Sequence, residues 1–178
     1  MKIKIALIPL LALLIASLAV SVACASPEKV AVTGIQLGST AVVSQEFNNG
    51  GVYFHEASGT GSVTLSITGQ SAPLVLVTTS QISLVINTKT NDGVIHFVMK
   101  WAKMSGGTEI GAFSGQINGK TETHAYLPNG YPNYPAQTES FIHAVLQGSG
   151  IYKGETLMLE GTRVLGEPLK WEGFLLAR

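Results

Sequence analysis

From Pro27 onward the chain alternates apolar and polar residues with a period of two, and β-branched and aromatic residues crowd the apolar positions. That period sends successive side chains to opposite faces of a strand. The runs 29–36, 40–47, 51–57, 61–68, 74–78, 82–87, 94–101, 108–117, 139–148, 155–164 and 169–177 are therefore expected to be strands. Between them, Asn48-Asn49-Gly50-Gly51, Thr90-Asn91-Asp92-Gly93, Ser105-Gly106-Gly107 and Asn118-Gly119 read as tight turns, since Asn and Gly accept positive φ. No helical stripe occurs outside the first 26 residues. Eight to eleven short strands joined by tight turns predict an all-β domain, a single antiparallel β-barrel of about eight or more strands. A barrel is preferred to a sandwich because closure removes exposed edges.

The alternation also assigns faces. Ile95, Phe97, Met99 and Trp101 share one apolar face, opposite Val94, His96, Val98 and Lys100. Leu157, Leu159, Gly161 and Arg163 alternate with Thr156, Met158, Glu160 and Thr162, and neither set is cleanly apolar, so a polar group is expected to point inward. Leu169, Trp171, Gly173, Leu175 and Ala177 form one face of the last strand.

The first 26 residues follow a different rule. Lys2 and Lys4 precede an apolar run from Ile5 to Val22, and Ala23-Cys24-Ala25 closes it. Basic start, apolar stretch and small residues in that order form a secretory signal over 1–25, leaving 26–178 as the barrel domain. Ala23-Cys24-Ala25 fits a small-x-small cleavage site before Ser26. Ser21-Val22-Ala23-Cys24 also resembles a bacterial lipobox, with Ser21 in place of the usual Leu, in which Cys24 becomes the lipidated first residue. A third reading keeps the run as an uncleaved anchor, at the lower limit of a membrane span. All three place the domain outside the cytoplasm, secreted or held at the cell surface, and touching the membrane only through this segment or a lipid.

Composition narrows the partners. Without Lys2 and Lys4, 9 of the 11 basic side chains remain against 11 acidic ones. Such a balance, with no basic stripe, excludes a nucleic-acid binder as the first reading. Cys24 is the sole cysteine, so the domain has no internal disulfide and must rely on its core. His55, His96, His124 and His143 show no His-x-His or His-x-x-x-His spacing, so neither a metal site nor a cofactor is expected. There is no Gly-x-Ser-x-Gly elbow, and Ser140, His143 and Glu139 are close only in sequence. Glu109, Glu155, Glu160 and Glu172 are spread over several strands, and spacing alone does not pair them. The stretch Tyr126 to Pro135 has no strand pattern and carries three of the five tyrosines, a composition suited to a recognition loop or to a rim that closes one barrel end.

Small residues recur as Ala57-Ser58-Gly59-Thr60-Gly61, Gly111-Ala112-Phe113-Ser114-Gly115 and Gly148-Ser149-Gly150-Ile151-Tyr152-Lys153-Gly154, and they are expected near strand ends. The last of these, followed by Glu160-Gly161, resembles the glycine-rich hairpin of the dirigent and allene oxide cyclase-like β-barrels. The resemblance covers about 15 residues and implies an eight-stranded barrel with an apolar central cavity. It matches no catalytic position.

Three functions are compatible with this sequence. The first is a non-catalytic exported barrel that binds a small apolar or amphipathic ligand. Its candidate contacts are Phe97, Met99, Trp101, Tyr131, Tyr134, Phe141, Met158 and Trp171, with Glu160 and Arg163 as polar candidates. The second is an isomerase or cyclase of the allene oxide cyclase type, which needs a buried polar group. The third is a structural or adhesive surface domain with a filled core. An open cavity favours the first two and a solid interior the third.

Overall fold

Alternation along the chain produces eight strands in the computed structural model, which describes residues 27–133, 137–165 and 167–177. Residues 1–26, where the export signal and Cys24 are expected, and Tyr134 in the Tyr/Pro loop lie outside the described residues. The strands are β1 (Glu28–Asn49), β2 (Val52–Ile67), β3 (Leu74–Asn87), β4 (Asp92–Ser105), β5 (Thr108–Thr123), β6 (Thr138–Gly150), β7 (Thr156–Arg163) and β8 (Leu169–Ala177). Each pairs antiparallel with the next, and β8 returns to β1, closing the barrel.

Several strands are longer than the apolar runs suggest. The runs 29–36 and 40–47 are one strand, β1, which absorbs its irregular residues in two register shifts, between Gly38 and Thr40 and between Val43 and Gln45. Such bulges bend a strand without ending it. The runs 51–57 and 61–68 likewise join as β2, and 74–78 and 82–87 as β3. Glycine at position 61 serves close approach rather than a turn: a Cβ there would lie 2.3 Å from the Leu37 carbonyl oxygen. Asn118-Gly119 is also interior to a strand, where Asn118 Oδ1 meets His96 Nδ1 at 2.6 Å across β4–β5. The hairpins at Gly50-Gly51 and Gly106-Gly107 do turn where expected, with all four residues at positive φ.

The β1–β2, β3–β4, β5–β6 and β7–β8 connections lie at one end of the barrel, here called the upper end. Inward positions in the lower part are large: Leu65, Leu76, Trp101, Phe113, Leu146, Leu157 and Trp171 are all buried in one cluster. The two indoles meet edge-on, with ring centroids 5.4 Å apart. At the upper end Tyr131 packs on this cluster from the β5–β6 loop, its ring 5.4 Å from that of Tyr53. Asn48 Nδ2 donates to the Gly130 carbonyl at 3.1 Å, and the Tyr126 hydroxyl donates to Asn91 Oδ1 at 2.7 Å, so the loop is tied across the hairpins beside it.

Closure is uneven in height. β8 pairs with β1 only from Glu28 to Gln36. Beyond Gln36, β1 is paired with β2 alone, and its other edge faces the end of β7 and the β7–β8 turn.

Candidate functional site

A cavity of about 660 Å³ occupies the upper interior next to this uneven seam. It exists because the inward positions there are small. Ala57 and Gly59 on β2, Thr78 and Ser80 on β3, and Ser140 on β6 stand where the lower part carries Trp, Phe and Leu. Ile82, Ile95, Phe97, Ile142 and Leu169 complete an apolar wall. Exposed residues also line it (Leu37, Gly38, Val43, Glu167 and Pro168), so it reaches the surface between β1 and the β7–β8 turn. The volume falls within the usual range for small-molecule sites, and so does a mostly apolar lining with a few polar groups.

Two polar features meet this space, one through His55 and the other through Arg163. On the β1–β2 side, Glu46 Oε1 accepts a hydrogen bond from the Tyr53 hydroxyl and lies 3.2 Å from His55 Nδ1. The Tyr53 hydroxyl is also 3.2 Å from that nitrogen. The cross-strand register brings this about by setting Glu46 directly opposite His55. Glu46, with its side chain 33% exposed, thus joins two buried partners. On the β7 side, Arg163 continues the inward face of Leu157, Leu159 and Gly161, opposite the buried Ser140. Its Nε is buried and has no hydrogen-bond partner among the described residues. The nearby Glu167 does not supply one, since its Oε2 is 2.5 Å from Lys170 Nζ.

The candidate residues divide clearly. Phe97 and Arg163 line the cavity. Met99, Trp101 and Trp171 are buried in the packed part, where the Trp101 indole donates to Met99 Sδ at 2.6 Å and Trp171 Nε1 donates to Gln36 Oε1 at 3.1 Å. Gln36 itself lines the cavity, so Trp171 adjoins it without entering it. Tyr131 is half-buried in the upper loop. Phe141, Met158 and Glu160 are corrected: all three point outward, Phe141 at 67% exposure, because Ile142, Leu157 and Leu159 take the inward positions beside them. Ser140, Glu139 and His143 form no constellation, since Ser140 is inside while its two companions are on the outer face.

Among the described residues, no group of three or more His, Cys, Asp or Glu side chains is placed to hold a metal. Sequence reasoning missed Glu46, Tyr53 and His55 as a cluster, and it missed the small inward residues that open the cavity. Dividing β3 into two runs hid the alternation Leu76, Thr78, Ser80, Ile82, which already shows two small polar residues on an inward face. A second depression, about 770 Å³, lies over β2–β5; Val42, Val98 and Met99 line it together with Ser58, Thr79, Gln81, Lys100 and Gln116, and its wall is open. It lacks the enclosure of the interior site.

No protein-family model, no curated protein and no solved structure matches this chain.

Proposed function

We propose that this protein is an exported, non-catalytic carrier or sensor that binds a small amphipathic molecule inside its barrel. The observation that carries the reading is the interior cavity, open to the surface at the seam and walled by Ile82, Ile95, Phe97 and Ile142. Burying apolar ligand surface against such a wall yields roughly 25 cal/mol per Å² before the costs of association. Export rests on the order of basic, apolar and small residues over 1–25. Native mass spectrometry of the full chain after incubation with a lipid extract tests the reading. A bound species of defined mass is expected, and it should disappear in Ala57→Leu, which fills the cavity. A bare protein mass under gentle conditions would overturn the reading in favour of a structural surface domain.

One observation favours a second reading, an isomerase or cyclase. His55 lines the cavity with an acid, Glu46, and a phenol, Tyr53, bonded behind it, groups suited to proton transfer. Turnover of the molecule captured by mass spectrometry, lost in His55→Gln, would replace carriage by catalysis.

A further inference from the structure

The ligand reading above leaves the chemistry of the ligand open, and Arg163 narrows it. This side chain lines an otherwise mostly apolar cavity with its Nε buried and unpartnered among the described residues. Among the described residues, no carboxylate forms an ion pair with it. Glu167, which lines the cavity, is engaged by Lys170, and Glu46, behind the lining His55, is engaged by Tyr53 and His55. Keeping the Nε of a half-buried guanidinium out of water without an acceptor is unfavourable. An anionic ligand group would supply that acceptor together with a counter-charge.

We propose that the cavity takes a single-chain amphiphile with a monocarboxylate head, its head on Arg163 and its chain along Ile82, Ile95, Phe97 and Ile142. The inference rests on the ligand-binding reading. A planar carboxylate matches the two-pronged donor geometry of a guanidinium. One cation also balances one negative charge, whereas a phosphate dianion would leave a charge uncompensated. The hydroxyl of Ser140, opposite Arg163 on β6, adds a polar neighbour at the same height.

Isothermal titration calorimetry of the full chain with dodecanoate, dodecanol and dodecyl phosphate tests this. Dodecanoate is expected to bind about ten-fold more tightly than dodecanol, the gain of a hydrogen bond to a charged group. Arg163→Met should abolish that preference while dodecanol binding persists, and Arg163→Lys should keep part of it. Thermal unfolding of ligand-free Arg163→Met, expected at or above the unsubstituted midpoint, confirms that the variant folds. Equal affinity for acid and alcohol, or a preference that survives Arg163→Met, would overturn the carboxylate assignment and leave the cavity reading intact. Tighter binding of dodecyl phosphate than of dodecanoate would also overturn it. Absence of binding by all three probes would overturn both.

Discussion

The lower and upper parts of this barrel share the same strands and the same alternation, yet the lower is filled while the upper, inside Tyr53, Leu84 and Ile86, keeps a cavity. In the lower part, inward positions carry Trp101, Trp171, Phe113, Leu65 and Leu157, all buried in the core. In the upper part, β2 and β3 present Ala57, Gly59, Thr78 and Ser80. Eight strands give an interior that large side chains can fill or small ones can leave for a ligand. Side-chain volume, not topology, decides between these outcomes at each height.

The largest expected effect separates the halves by truncation. Trp171→Ala should cost about 3–5 kcal/mol in urea unfolding, whereas Ile142→Ala at the cavity wall should cost about 2 kcal/mol. Comparable losses would mean that the upper interior is packed as tightly as the lower. The reverse substitution sharpens the contrast. At Gly161 a Cβ would lie 2.7 Å from the Trp171 ring, so Gly161→Ala should destabilise by about 1–3 kcal/mol. Ala57→Leu, by contrast, extends into open space and should leave the unfolding midpoint unchanged or raise it.

A smaller effect belongs to the lower rim. Burial raises the Glu155 carboxyl above its ordinary 4.5, and burial together with Glu155 raises the Tyr152 phenol, whose ring stacks on Phe113 with centroids 4.6 Å apart. An acid that holds its proton more firmly when folded favours the fold at low pH and loses that contribution as pH rises through the folded value. Glu155→Gln should therefore flatten the pH dependence of stability just above pH 4.5, with little change at the cavity. Ligand affinity that followed the same titration would link the two ends and weaken the comparison.

Much of the architecture was legible because period-two patterning is a local signal. The faces of β4 and β8 follow from it directly: Ile95, Phe97, Met99 and Trp101 point in, as do Leu169, Trp171 and Leu175. Strand ends were less legible, because glycine in a sequence signals a turn and a close strand approach equally well, and Gly61 is the second kind. The site was the least legible part. Phe141 and Met158 drew attention as large apolar side chains, but this outer surface also bears Val94, Val98 and Phe174, so apolar character alone does not mark the inside. The Glu46–Tyr53–His55 cluster depends on register, which the two shifts in β1 set and no local pattern announces.

The meander has a kinetic consequence. Seven of the eight strand pairings join neighbours in sequence, so each can form by zipping from its own connection, short in every case but the loop between Thr123 and Thr138. Only the β1–β8 seam must bring together segments separated by nearly the whole chain, and there loop-closure entropy is concentrated. The eighth pairing therefore sets the pace of folding: a curled sheet assembles hairpin by hairpin, and the seam from Glu28 to Gln36 latches it shut.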